Sequence, residues 1–177
     1  KAYLAVFKSL TELWNGTNWT EVADLATARY ELMGSGTSNA YGGGIYATGG
    51  GSYLTVTEEW TGAGAPVGGW ATGGNLNTGR STSGTAGTGN STGLIFGGLP
   101  PTTAKTESYD GSSWTEVNDL NTARNAMTGA GTSTSALAFG GTAPPPGQAI
   151  TELWNGTNWT EVNNLNTGRS SLRGTGA

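Results

Sequence analysis

The sequence of 177 residues contains no cysteine and no histidine. Without cysteine, the chain has no disulfide, no thiolate nucleophile and no thiolate metal ligand. Without histidine, it has no histidine base, no Ser-His-Asp triad and no histidine-ligated metal. The sequence therefore predicts a protein that is not an enzyme and that needs no cofactor and no metal of the usual kinds.

Charge is also scarce, and long apolar runs are absent. Charged residues make up 11% of the chain, against roughly 25% in an ordinary domain. The eight lysines and arginines are spread along the chain and form no basic patch, which disfavours nucleic acid as a partner. No run of 18 apolar residues exists, so we expect no membrane insertion. The chain begins at Lys1 without a leader, and we expect either a processed chain or an excerpt of a longer one.

What the sequence has in quantity is glycine and large aromatic residues. The 32 glycines and the small share of Leu, Ile, Val and Phe are typical of low-complexity or disordered chains. A net charge of −4 is too small to hold the chain open by repulsion, however, and the seven Trp, six Tyr and three Phe supply apolar surface that a disordered linker lacks. The composition is therefore compatible with a folded domain.

A repeat runs through the whole chain. Residues 11–22 read TELWNGTNWTEV, residues 151–162 read the same twelve letters, and residues 106–117 are a close third copy. A degenerate fourth copy begins at Thr57, so the copies start at intervals of 45 to 49 residues. Internal periods of 20 to 50 residues indicate solenoids, propellers or arrays.

A second set of markers keeps the same register. In each repeat a Trp precedes an Arg by ten residues. The pairs are Trp19 and Arg29, Trp70 and Arg80, Trp114 and Arg124, and Trp159 and Arg169.

Within one repeat the local signals are all those of β-strands. In the last full repeat we predict strands at residues 125–132, 135–139, 151–154 and 159–165, because these segments are short, alternate in polarity or consist of small and apolar residues. Asn155-Gly156 predicts a tight hairpin turn, since both residues tolerate positive φ. Four short strands in about 45 residues, joined as a meander, are typical of a propeller blade.

The markers of the last repeat resemble those of the kelch family of β-propellers. That family carries a double glycine after its second strand, then an aromatic residue, then a Trp several residues before an Arg. Here the matching residues are Gly140, Gly141, Trp154, Trp159 and Arg169. The preceding copies give Gly97, Gly98, Tyr109, Trp114 and Arg124, and Gly49, Gly50, Trp60, Trp70 and Arg80. In texture the chain also resembles the Thr/Asn/Gly-rich repeat proteins of phages and environmental bacteria.

The two ends of the chain fit this repeat. Residues 170–177 match the first strand of a blade and residues 2–7 match the second strand. The resemblance therefore implies an all-β fold: a single β-propeller, with four blades of four antiparallel strands, in which the C-terminal strand closes the N-terminal blade. The blades are residues 1–29 with 170–177, 30–80, 81–124, and 125–169. Two alternatives stay open: half of a larger propeller formed by two subunits, and an excerpt of a longer repeat array.

Glutamates recur with the repeat. One series is Glu12, Glu58, Glu107 and Glu152, and the other is Glu21, Glu116 and Glu161. Paired carboxylates can hydrolyse glycosides, but a catalytic pair needs two unlike environments, whereas these acids are nearly the same in every repeat. We expect them to pair with threonines, turn amides or the recurrent arginines.

The recurrent arginines could also have either a functional or a structural role. Arg29, Arg80, Arg124 and Arg169 could ring one face and bind an anion. Their equivalence favours one structural task in each blade, which is to hold loop carbonyls or the acid of the neighbouring blade.

The aromatic residues divide into two groups. We expect Trp19, Trp70, Trp114 and Trp159 to pack between adjacent sheets. Trp14, Trp60, Tyr109 and Trp154 are the candidate ligand-binding residues, because aromatic rings at loop edges stack on sugars.

These observations predict a non-catalytic binding or structural module outside a cell or on a virion. Its surface, poor in charge and rich in hydroxyls and amides, suits a glycan or protein partner on a surface, as in an adhesin, tail or fibre component, and near-identical repeats suit a homo-oligomer. A self-assembling filament or capsid subunit is one alternative, and a carboxylate-dependent glycoside hydrolase is the other.

Overall fold

A computed structural model describes residues 9–14, 17–28, 33–35, 45–47, 54–60, 70–144 and 147–174. At residues 13–14, 33–35, 45–47 and 70 it describes the backbone alone. Across these ranges every regular element is a β-strand, and none is a helix long and apolar enough to cross a membrane.

The described part of the chain contains fourteen short strands. They are β1 (Thr11–Trp14), β2 (Trp19–Val22), β3 (Met33–Ser35), β4 (Ile45–Ala47), β5 (Thr57–Trp60), β6 (Trp70–Thr72), β7 (Gly84–Gly87), β8 (Gly93–Phe96), β9 (Thr106–Tyr109), β10 (Trp114–Val117), β11 (Thr128–Gly131), β12 (Ala136–Phe139), β13 (Thr151–Trp154) and β14 (Trp159–Val162).

The strands form four antiparallel sheets in chain order. Sheet I contains β1 and β2, sheet II contains β3 to β6, sheet III contains β7 to β10, and sheet IV contains β11 to β14. Sheets II, III and IV are four-stranded meanders, in which each strand pairs with the next strand along the chain. The all-β class is therefore confirmed, whereas the described sheets do not close into a ring.

The expected hairpin turns lie between the third and fourth strands of sheets III and IV. Gly111 and Gly156 have φ of 97° and 94°, which glycine adopts without strain. These turns place Tyr109 opposite Trp114 and Trp154 opposite Trp159. Because directly opposite residues point to the same face, the two aromatic markers of a repeat are neighbours in space.

The first strand of sheet IV is shorter than expected. The sequence predicts a strand over residues 125–132, and β11 covers only Thr128–Gly131. Asn125 makes an isolated bridge to Thr142, and Ala126 has φ of 51°. That left-handed conformation interrupts the extended backbone, so the strand begins two residues later.

The first strands of adjacent sheets lie against one another. Strand β7 contacts β3 on one side and β11 on the other. A Cβ at Gly129 in β11 would collide with the carbonyl of Thr85 and with the ring of Phe96. The small residues of these strands therefore permit an approach that larger side chains would block.

The main hydrophobic core lies between sheets III and IV. Phe96 and Met127 are buried there with Ala138, Trp154 and Trp159. The Phe96 and Trp159 rings meet edge to face at 4.9 Å, a favourable aromatic geometry. The two sheets thus share one core.

Residues 169–174 lie on sheet IV as residues 124–129 lie on sheet III. Gly141 N–H donates to the Arg169 carbonyl at 2.9 Å, as Gly98 N–H donates to the Arg124 carbonyl at 3.0 Å. Gly174 approaches the carbonyl of Gly129. The C-terminal segment therefore occupies the position of a following first strand. Residues 2–7 and 175–177, on which the expected closure depends, lie outside the described residues.

Candidate functional site

A buried carboxylate contact joins sheets III and IV. The loop of residues 120–124, which reads LNTAR, follows β10. Arg124 Nη2 donates to Glu152 Oε1 at 2.8 Å, and Asn121 donates to Glu152 Oε2 from its backbone N at 2.7 Å and from Nδ2 at 2.8 Å. Arg124 Nη1 also donates to the carbonyls of Gly140 and Ile150, both at 2.8 Å. We call this loop and the glutamate it holds a carboxylate clamp.

The same clamp joins sheets II and III. Arg80 Nη2 donates to Glu107 Oε1 at 2.6 Å. Asn77 donates to Glu107 Oε2 from its backbone N at 2.8 Å and from Nδ2 at 2.9 Å. Arg80 Nη1 donates to the carbonyl of Lys105 at 2.9 Å. Arg80 and Arg124 thus each hold both a loop carbonyl and the acid of the following sheet.

Part of a third clamp is described between sheets I and II. Glu58 accepts from the backbone N of Ala26 at 2.7 Å and from that of Thr27 at 3.3 Å. Ala26 stands where the other loops have asparagine, so its side chain contributes no amide donor. Arg29, the expected arginine of this loop, lies outside the described residues.

Burial makes these clamps electrostatically demanding. The side chains of Arg124 and Glu152 are 0% exposed, and those of Arg80 and Glu107 are 1% and 0% exposed. Burial lowers the pKa of Arg80 and of Arg124, and the attraction of the paired glutamate acts in the opposite direction. Each charge is tolerated in this interior because its partner and the surrounding hydrogen bonds are present. The clamps therefore fix one sheet against the next.

A tryptophan and a threonine make a second repeated contact between sheets. Trp114 Nε1 on sheet III donates to Thr57 Oγ1 on sheet II at 3.1 Å, and Trp159 Nε1 on sheet IV donates to Thr106 Oγ1 on sheet III at 3.1 Å. Trp114 and Trp159 are thus placed between sheets, as expected from the sequence. For Trp70, the side chain lies outside the described residues.

The equivalent tryptophan on sheet I has a different environment. Trp19 is 64% exposed, whereas Trp159 is 5% exposed. Trp19 is therefore largely exposed, unlike its equivalents Trp114 and Trp159.

The candidate ligand-binding rings lie inside the protein. Trp60, Tyr109 and Trp154 are buried. Trp154 Nε1 donates to the Ser133 carbonyl at 3.0 Å, and the Tyr109 hydroxyl donates to Glu59 Oε1. Buried rings present no face to a sugar, so their burial removes the stacking surface that ligand binding would need. The side chain of Trp14 lies outside the described residues.

Burial also sets the acid–base behaviour of Tyr109. Loss of hydration, followed by the hydrogen bond to Glu59, raises the pKa of this phenol to about 12. The neutral hydroxyl therefore remains a donor at any ordinary pH. This contact adds a further link between sheets II and III.

Arg169 lies at the end of a fourth loop of the same pattern. The loop of residues 165–169 reads LNTGR. Arg169 and Asn166 are exposed, and Arg169 Nε donates to the Thr167 carbonyl at 3.2 Å. Among the described residues Arg169 makes no ion pair, so the sequence-predicted arginine is present without its acid.

No three carboxylate, thiol or imidazole groups lie close enough together in the described part of the chain to hold a metal ion. The exposed glutamates of the second series make surface contacts instead. Glu116 pairs with Lys105 at 2.8 Å, and Glu161 accepts from Asn164 Nδ2 at 3.3 Å.

Sequence reasoning did not single out the asparagines and threonines of these contacts. The asparagines had a visible signal, since LNTxR recurs at residues 76–80, 120–124 and 165–169. The threonines, Thr57 and Thr106, begin each aligned copy. Only the packing of the sheets shows that their hydroxyls accept an indole N–H from the following repeat.

No protein-family model matches the chain, and no curated protein matches it. The functional argument therefore depends on the contacts described above.

Proposed function

We propose that the chain is a non-catalytic binding or structural module built as a kelch-like β-propeller. In this proposal the four sheets are blades, and residues 169–174 act as the first strand of an N-terminal blade. The observation that carries the proposal is the buried carboxylate clamp, which recurs between sheets II and III and between sheets III and IV.

Recurrence of the clamp supports a curved array. When one heterologous contact is repeated between successive units, it generates a ring or a helix. Here the carboxylate clamp and the Trp–Thr hydrogen bond recur together between successive sheets. The small-residue first strands lie on one side of each sheet, where the axis of a propeller would be.

The chemistry of the glutamates supports a non-catalytic role. A general acid needs access to substrate. Glu107 and Glu152 are fully buried and each accepts from a guanidinium, a backbone amide and a side-chain amide. Their burial excludes a sugar. The hydrolase alternative therefore loses Glu58, Glu107 and Glu152, the three buried acids of the first series.

The surface supports a partner other than nucleic acid. Net charge is −4, and exposed Thr, Asn and Ser side chains supply neutral donors and acceptors. We propose display outside a cell or on a virion, with a glycan, a protein or a further copy of the chain as partner. The structural alternative is a self-assembling subunit. It is supported by the loop of residues 165–169, where Arg169 makes no ion pair among the described residues.

Two experiments test this proposal. Negative-stain electron microscopy of the purified chain should show a disc with a central channel, and a rod of stacked sheets would contradict the propeller. Incubation with a panel of glycosides should release no sugar. Turnover that the Glu116→Gln or Glu161→Gln variant abolishes would overturn the non-catalytic assignment, and Lys105→Gln is the matched surface control.

A further inference from the structure

The hairpin turn of sheet IV presents an exposed asparagine followed by a glycine. Asn155 and Gly156 are both exposed. Gly156 has φ of 94° and no side chain that would hinder its backbone nitrogen. Among the described residues, neither the Gly156 N–H nor Asn155 Nδ2 donates a hydrogen bond. The backbone nitrogen is therefore open to a base from solvent, and the side-chain amide nitrogen is not held by a partner.

Two backbone amides bind the oxygen of the Asn155 side chain. The N–H groups of Thr157 and Asn158 each donate to Asn155 Oδ1 at 2.9 Å. The bond to Thr157 turns the side chain back along the chain toward the Gly156 peptide. When a nucleophile adds to the Asn155 amide carbon, negative charge develops on Oδ1, and N–H donors already aimed at such an oxygen stabilise that charge. The turn therefore holds its donors as an oxyanion hole does.

The equivalent turn of sheet III shows that an aspartate fits this position. Asp110 precedes Gly111, whose φ is 97°. Asp110 Oδ1 accepts from the backbone N–H groups of Ser112 and Ser113, both at 2.8 Å. The bond from Ser113 and then that from Ser112 lower the pKa of Asp110 to about 2. The two turns thus use the same donors, and these donors suit a charged carboxylate as well as an amide.

We propose that Asn155 is a site of spontaneous deamidation, which converts this asparagine of the folded protein into aspartate. The Gly156 nitrogen loses its proton to hydroxide and adds to Asn155 Cγ. The Cγ–Nδ2 bond then breaks, and the nitrogen takes a proton from water and leaves as ammonia. The cyclic imide that remains takes up one water, which opens the ring to aspartate or isoaspartate. The net reaction consumes water, releases ammonia and needs no enzyme, oxidant or cofactor.

The other asparagines near this turn lack one or more of these features. A bulky tryptophan follows Asn158, and Asn158 Oδ1 accepts from the side chain of Asn118 at 2.8 Å. Asn121 Nδ2 donates to Glu152 Oε2 at 2.8 Å, so its amide nitrogen is held in the carboxylate clamp. Asn155 therefore combines an unhindered nucleophile, a bound oxygen and a leaving nitrogen without a partner, and we expect it to react before Asn158 and Asn121.

Fragmentation mass spectrometry of peptides from the full chain measures the conversion at each asparagine over time. It also separates Asn155 from Asn15, which precedes Gly16 but lies outside the described residues. In the folded protein at neutral pH, Asn155 should convert at least as fast as in protein unfolded in guanidinium chloride. Ion-exchange chromatography should show the product as a species with one more negative charge. Slower conversion in the folded protein would overturn the proposal, because the turn would then protect the amide.

Two variants test the part played by the backbone donors. Thr157→Pro removes one of the two donors to Asn155 Oδ1 and should slow conversion of Asn155 by roughly tenfold or more, with the circular dichroism of the unaltered protein. If this variant does not fold, Asp110→Asn is the second test. It places an asparagine before Gly111 and against the same kind of donors, and this asparagine should convert back to aspartate in the folded protein.

The variants also give the results that would refute the proposal. A folded Thr157→Pro variant that converts at the unaltered rate would show that the donors contribute nothing, and so would an Asp110→Asn variant that keeps its amide while the unfolded protein loses it. Asn155→Asp carries the product and should melt at the temperature of the unaltered protein or above; a lower temperature would show that the turn does not accept an aspartate. The inference does not depend on the proposed function, since a disc and a rod would contain the same turn.

Discussion

Removal of the Arg124 guanidinium should destabilise the boundary between sheets III and IV. In the Arg124→Gln variant, Glu152 stays fully buried and loses its cationic partner at 2.8 Å, while the carbonyls of Gly140 and Ile150 lose a donor. Breaking a buried ion pair on one side typically costs about 3–5 kcal/mol. For a chain of this size, each kcal/mol shifts the melting temperature by roughly 2–4 °C, so we expect a decrease of roughly 6–20 °C.

The chain supplies its own control for this change. Arg169 occupies the same position in the loop of residues 165–169 but is exposed and makes no ion pair among the described residues. Arg169→Gln should change the stability by less than about 0.5 kcal/mol, measured at concentrations where the chain is monomeric. The stability of both variants is measured by thermal unfolding, followed by circular dichroism, and separately by urea titration.

Two results would refute this reasoning. One is a loss below about 1 kcal/mol in Arg124→Gln, the range of an exposed pair. The other is an equal loss in both variants. If Arg124→Gln does not fold, Arg124→Lys is the substitute test, because lysine keeps the charge without the planar guanidinium. Its free energy of unfolding should be lower than that of the unaltered protein, but the variant should still fold. Full stability of the lysine variant would show that the carbonyl contacts contribute nothing.

Three further predictions follow from matched positions. Thr106→Val should cost about 1–2 kcal/mol because it removes the acceptor of a buried indole N–H, whereas Thr151→Val should be neutral or stabilising in the monomer; equal losses in urea titrations would contradict this. Gly129→Ala should lower the melting temperature because its Cβ meets backbone and a buried ring, whereas Gly89→Ala has open space around its Cβ and should not. The pKa of Tyr109 is raised to about 12, so the folded state favours the neutral phenol. The contribution of Tyr109 to the free energy of unfolding is complete below about pH 10 and is lost as the pH rises toward 12. Tyr109→Phe should remove that part of the alkaline slope in pH-dependent unfolding.

The repeat made much of the local structure predictable. The hairpin turn at Asn155-Gly156 and the strand Thr151–Trp154 were correct because a turn signal and an alternating pattern depend on adjacent residues. The long first strand of residues 125–132 was not, since the left-handed Ala126 has no sequence signature. The recurrence of one arginine in each repeat predicted that the arginines pair with acids. It did not predict which glutamate each arginine holds.

The site was less predictable than the strands. Trp60, Tyr109 and Trp154 looked suitable for a ligand because they flank turns. In the structure these rings are buried. Sequence spacing places an aromatic residue on one face of a strand, but it does not tell which other sheet lies over that face.

The repeat period, the all-β class and the local pairing of strands could be predicted from the sequence alone. Residues 11–22 and 151–162 show the limit of that information, since the two segments have identical sequences and form the same pair of strands. Yet Trp159 is 5% exposed and Trp19 is 64% exposed. The difference is tertiary: Trp159 lies between sheets III and IV, where its indole N–H donates to Thr106 Oγ1, whereas most of the Trp19 side chain is exposed. Hydrogen bonds along a strand depend on local sequence, whereas burial depends on what the rest of the chain places opposite.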